Sequence, residues 1–149
     1  MVLEALIRAA HFIGIMALYG ALLSGHLMTA RELPRAVVRK IAIIDLVFWF
    51  SVVLVLATGL VLWFGVGKEA SYYLKNGLFH GKLTLFVVLL GLGVKSTLFW
   101  RRNRIGDPAD TVAVPGSIKA FQGVQLLLLV LIPILAALVA RGVGGSAAG

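Results

Sequence analysis

The chain contains no cysteine, so disulfides, thiolate metal sites and covalent c-type haem attachment are all excluded. Charge is scarce: only 13% of its 149 residues are Asp, Glu, Lys or Arg, and only 6 of them are acidic. A soluble domain of this length carries about twice that charged fraction. No HExxH motif, carboxylate pair or Ser/His/Asp set stands out, and the polar segments are too short for a separate catalytic domain. Gly91-Leu92-Gly93-Val94-Lys95-Ser96-Thr97 superficially resembles a phosphate loop. It lacks that loop's spacing and its Gly-Lys-Ser/Thr ending, and it lies within an apolar segment.

Hydrophobic residues are plentiful, at 60% with a mean hydropathy of +1.02. They fall into four runs, about residues 2–28, 41–64, 78–100 and 118–140, each long enough to cross a bilayer. The first opens with Glu4 and Arg8 and lacks a basic leader and a small-residue cleavage site, so it reads as a retained helix. The expected fold is all-α: a single domain forming a four-helix transmembrane bundle of up-down topology, because three short links force antiparallel neighbours. The tail beyond residue 140 is rich in Gly, Ala and Ser and reads as disordered.

The net charge of +8 sits between the apolar runs rather than in a stripe, which excludes a nucleic-acid surface and fits loops that orient a membrane protein. The first and third links hold Arg31, Arg35, Arg39, Lys40, Arg101, Arg102 and Arg104. The second holds Lys68 and Lys75. The positive-inside rule places the first and third links in the cytoplasm and both termini outside, in a bacterial inner membrane.

The remaining polar residues sort into two levels. Toward the outer side lie Glu4, Arg8, His11, Trp63, Tyr72, Tyr73, His80 and Lys82; toward the inner side lie His26, Asp45, Lys95, Gln122 and Gln125. Ionisable groups inside spans are functional candidates by default. His11 and His26, 15 residues apart, are separated by about 22 Å along the helix and by roughly 60° around it. Gly14 and Gly25 flank that face and would admit a flat ligand. A neutral imidazole there is a candidate axial ligand for haem b, and three histidines are too few for two bis-histidine sites.

In the third span His80, Thr84, Gly91 and Lys95 share one face, and Lys82, Phe86, Leu89, Gly93 and Ser96 the opposite one. Helix physics favours an inward His80, with Lys82 snorkelling to the headgroups. At the inner level Asp45 and Lys95 are expected to form an ion pair, with Gln122 and Gln125 completing the hydrogen bonding. A quinone or proton-relay site there is the competing reading.

The stretches Ala42-Ile43-Ile44-Asp45, Ala57-Thr58-Gly59-Leu60, Gly67-Lys68-Glu69-Ala70-Ser71-Tyr72-Tyr73 and Asn76-Gly77-Leu78-Phe79-His80-Gly81-Lys82-Leu83 resemble a bacterial family of four-helix membrane proteins without assigned function. More distantly, the arrangement is similar to the HemJ-type protoporphyrinogen oxidases, whose first-helix histidine and third-helix lysine match His11 and Lys82. Ser24-Gly25-His26-Leu27-Met28 departs from that family's Pro-Arg-Leu-Phe-type ending. The resemblance implies haem bound through His11, with Lys82 turned inward. Lys82 would serve as a neutral-amine ligand or as partner to a propionate, as Arg8 or Arg141 would. His80 is the alternative second ligand.

Three functions follow as expectations: a b-haem protein exchanging electrons with a quinone or a membrane redox partner, a porphyrinogen oxidase, or a cofactor-free structural subunit. The last would use the small-residue stripe Ala10, Gly14, Ala17 and Ala21 to contact another chain, or another copy of this one; bordering the His11 face, the stripe could equally pack inside the bundle.

Overall fold

The computed structural model describes residues 1–66 and 70–144. Lys68, the Gly67-Lys68-Glu69 part of the quoted motif, and the end of the Gly/Ala/Ser tail lie outside the described residues. Four long helices dominate: α1 (Val2–Met28), α2 (Arg35–Val61), α4 (Gly77–Asn103) and α5 (Gly116–Ala140). All four are long and apolar enough to cross a membrane. Inside a bilayer no water is present to satisfy backbone N–H and C=O groups, so an apolar run of this length must form a helix. The expected all-α class holds.

The chain makes two tight hairpins, α1 with α2 and α4 with α5. These pack more loosely on each other, α1 against α5 and α2 against α4, which leaves α1 and α4 on the diagonal. The mid-span core is Leu18, Leu22, Phe48, Val52, Leu89, Leu128 and Leu129. Phe12, Phe50, Val87 and Leu127 point outward toward lipid. Gly14 allows α1 to approach α2 closely, since a Cβ there would lie 2.9 Å from Val55 Cγ2. The rest of the small-residue stripe follows it inward: Ala21 is buried, and Ala10 and Ala17 are half-buried. The stripe therefore packs inside the bundle and presents no free face to a partner.

The links are more ordered than their polarity suggests. Two three-residue strands, β1 (Glu32–Pro34) and β2 (Thr111–Ala113), pair antiparallel with Leu33 opposite Val112. Both residues turn inward onto Val38, Ile41, Trp100 and Ile118, forming a second core at this end. The first and third links thus lie together at what is called below the ribbon end.

Here α2 and α4 run past their apolar windows. Arg35 and Arg39 lie inside α2, and their guanidinium groups donate to the carbonyls of Asn103 (3.1 Å), Arg104 (2.9 Å) and Gly106 (2.6 Å). They satisfy the carbonyls that α4 leaves unpaired at its C-terminus and complement its negative dipole end. Arg35 also pairs with Asp110 at 2.9 Å.

At the far end α2 ends in a π-helical turn, Leu62–Val66, and a short helix α3 (Ala70–Leu74) precedes α4. Asn76 caps α4, its side-chain oxygen accepting from the N–H groups of Leu78 and Phe79. Its amide donates to the Val143 carbonyl, and Tyr72 donates to that of Val139, so the end of α5 is held against this corner.

Candidate functional site

Two polar sites occupy the bundle at different depths. The outer one begins with His11 on α1. Its Nδ1 lies 2.8 Å from Thr58 Oγ1, and that hydroxyl lies 2.6 Å from the Leu54 carbonyl one turn back in α2. A carbonyl can only accept, so the Thr58 hydroxyl donates to Leu54 and must accept from His11. That order puts the imidazole proton on Nδ1 and leaves Nε2 with the free lone pair. The ring lies over Gly59, where a Cβ would stand 3.3 Å from His11 Cε1. The Thr-Gly pair of α2 therefore has a definite role: the threonine orients the ring and the glycine makes room for it.

Lys82 enters from α4, diagonally across the bundle. It is half-buried on the same face as the buried Leu89, Gly93 and Ser96, whereas His80, Thr84, Gly91 and Lys95 are exposed. The expectation from snorkelling is thus reversed. The reason lies in the neighbouring aromatic residues: buried Phe79 sits 4.8 Å below the Lys82 ammonium, and Trp63 and Tyr73 pack against Phe79. A cation over an aromatic face has an alternative to the headgroups. Lys82 and His11 are both half-buried at this end of the bundle. Trp63 Nε1 is buried beside this cluster and has no hydrogen-bond partner among the described residues.

His80 turns away, and its Nε2 donates to the Leu74 carbonyl at 2.7 Å, capping α3. Arg8 is exposed and paired with Glu4 at 2.7 Å, one turn earlier. The structure thus brings His11 and Lys82 to one region and leaves His80 and Arg8 at its margin.

The inner site differs from expectation. Asp45 and Lys95 form no ion pair. Asp45 accepts from Thr97 Oγ1 (3.1 Å), which in turn accepts from Trp49 Nε1 (2.7 Å). Lys95 and Thr97 are two residues apart on α4 and so about 200° apart around it, and only one of them can face α2. Lys95 is exposed instead, its ammonium 4.9 Å from the Phe121 ring. Gln125 reaches past both and donates to the Leu89 carbonyl at 2.9 Å. His26 lies on Gly123 of α5, its Nδ1 buried and without a hydrogen-bond partner among the described residues. Gly25, expected to admit a ligand, packs against the Gln122 amide.

Between these groups is a cavity with about 20 Å³ open to the centre of a water molecule, lined by Asp45, Ser96, Gln122 and Gln125 among apolar neighbours. Ser96 Oγ and Gln122 Oε1 are buried there without hydrogen-bond partners among the described residues. The volume and the polar groups suit one bridging water. Thr97 is the linchpin of this site, and nothing in the sequence reading singled it out. Thr97→Val is expected to destabilise the protein by about 2 kcal/mol, because it strands both the Trp49 N–H and the Asp45 carboxylate. Thr97→Ser should retain most of the stability. Unfolding titrations in detergent would decide; equal midpoints for the valine variant and wild type would sink the assignment.

A family model described as a predicted membrane protein family, DUF2214, matches residues 3–144, and the chain belongs to that family. No curated protein and no solved structure matches it. The match bears out the resemblance to a family of membrane proteins without assigned function. None of these comparisons supports the similarity to HemJ-type oxidases.

Proposed function

We propose that this member of the family binds haem b at the outer site and carries electrons within the membrane, and that His11 would hold the iron. The observation that carries the reading is the His11–Thr58–Leu54 relay. It holds the proton on Nδ1, so the neutral imidazole would have Nε2 free to ligate iron, and ligating histidines characteristically donate their other ring N–H to a fixed acceptor. Lys82, inward on the diagonal helix, would serve either as a second nitrogen ligand, if a neutral amine, or as the ammonium partner of a propionate.

The donor set fits. Haem supplies four nitrogens of its own, so one or two side chains suffice. Among the described residues no three His, Cys, Asp or Glu side chains gather as a metal site, so a bare ion is the poorer candidate. Trp63 Nε1 offers a buried donor to a polar edge of the ligand. Bound haem would supply a one-electron couple; the protein's contribution is the ligand, its orientation and an apolar surround. The positive-inside rule would place the ribbon end in the cytoplasm and this site toward the outer face of a bacterial inner membrane, where a quinone or a membrane redox partner could exchange electrons with it.

Absorption spectra of the purified protein, oxidised and then reduced with dithionite, test this. Sharp reduced bands are expected in the wild type and none in His11→Ala. Thr58→Val, which frees the ring without removing it, should weaken haem retention by about 10-fold to 100-fold. A featureless spectrum from protein produced with ample haem, or bands that survive His11→Ala, would refute the reading.

A further inference from the structure

We infer that the groove between α4 and α5 at the ribbon end is a binding site for the headgroup of an anionic phospholipid, held between Lys95 and Arg102. The groove has a volume of about 300 Å³ and is lined by Lys95, Leu98, Phe99, Arg102, Pro115 and Ile118, with Asn103 at its rim. Its chemistry is that of an amphiphile site: two cations above apolar walls, on the outer surface of the bundle.

The placement of the two cations is the main argument. They are seven residues apart, so they lie within about 20° of each other around α4 and about 10 Å apart along it. That spacing lets two long side chains converge on one phosphate. Neither makes an ion pair among the described residues, where the two pairs are Glu4–Arg8 and Arg35–Asp110. Lys95 in particular is exposed, two turns inside the helix end, with its ammonium 4.9 Å from the Phe121 ring centroid. A cation at that depth is costly without a partner, and the inner carboxylate expected to supply one, Asp45, is engaged by Thr97.

Continuity with the lipid surface selects the occupant. From the groove, Leu98 and Val94 continue along α4 as exposed apolar residues, 47% and 46% accessible, and give an acyl chain a surface to lie on. A soluble anion would gain nothing from those walls. Basic pockets between transmembrane helices at the headgroup level are a recurrent form of lipid recognition. The inference is independent of the haem reading, since the groove lies at the opposite end of the bundle.

The test is native mass spectrometry of the full-length protein, equilibrated in detergent with an equimolar mixture of phosphatidylglycerol and phosphatidylcholine. Wild-type protein should retain one phosphatidylglycerol in preference to phosphatidylcholine. Lys95→Ala/Arg102→Ala should retain it about 30-fold less, at roughly 1 kcal/mol for each basic residue near a headgroup. Both side chains are exposed, so the variant should keep its helix content. Arg31→Ala/Lys40→Ala removes two charges from the same end outside the groove and should retain the lipid as wild type does. Equal retention of the two lipids would overturn the assignment, as would undiminished retention by the groove variant. An equal loss in the Arg31/Lys40 control would replace the site with a diffuse basic field, and full displacement by inorganic phosphate would replace it with a phosphate site.

Discussion

Replacing Trp100 by alanine is expected to lower the unfolding free energy by about 3–5 kcal/mol, the range for emptying a fully buried aromatic site. Trp100 is 1% exposed and is among the largest wholly enclosed side chains. It fills the space beneath the ribbon, packed with Leu33, Val38, Ile41, Val112 and Ile118. The same ring also lines the small polar cavity beside Asp45, Ser96 and Gln122. Truncation would merge that cavity with the new void, bringing water into the second core as well as removing its packing. Trp100→Phe should recover more than half of the loss. Unfolding in mixed micelles, followed by helix content, would measure both variants; an alanine variant within about 1 kcal/mol of wild type would mean that the ribbon does not depend on this core.

Gly106→Ala should cost about 3 kcal/mol, a large effect for one methyl group on an exposed turn. Gly106 has φ of +131°, which L side chains rarely adopt. A Cβ there would also overlap the Arg35 guanidinium, 2.7 Å from its Cζ. Relieving that overlap displaces Arg35 from the Asn103 carbonyl and from Asp110, and displaces the Gly106 carbonyl from Arg39. Two contributions can be separated by a double-mutant cycle. In an Arg35→Ala background the clash is gone while the backbone strain persists, so Gly106→Ala should cost only about half as much there. Equal costs in both backgrounds would remove the guanidinium from the explanation and leave the dihedral alone.

Much of the fold was legible in the sequence because burial in lipid leaves few options. Four apolar runs of spanning length must be helices, and short links must make them neighbours. The ribbon was not legible: Glu32-Leu33-Pro34 and Thr111-Val112-Ala113 are three-residue strands with one apolar residue each, too short for alternation to register. The positive charges were read as orientation signals, and Arg35 and Arg39 are also caps on the end of a helix distant in sequence.

At the candidate site, the sequence picked out His11 and Lys82 but not what holds them. Thr58 and Gly59 form a sequence pattern with no visible role, because a side chain's acceptor on another helix leaves no local signature. The facing of Lys82 was misjudged from helix physics for a similar reason. Snorkelling is the default only where no aromatic face competes, and Phe79 becomes such a face once Trp63 and Tyr73 have closed around it. The Asp45–Lys95 pairing failed on rotation, since matching depth does not guarantee matching azimuth.

The ribbon has a consequence for biogenesis. Its strands are separated in the chain by α2, the far-end turn, α3 and α4, so neither can find its partner until every intervening segment has been threaded through the bilayer. A chain whose third link has been left on the wrong side has no strand to offer β1, and Leu33, Val112 and Trp100 then have nothing to close over. Charge asymmetry biases each insertion step statistically; the ribbon accepts only the product in which both links have arrived in one compartment. Strand pairing thus requires α2 and α4 to be in place with both links on one side, a condition met before α5, which follows β2 in the chain.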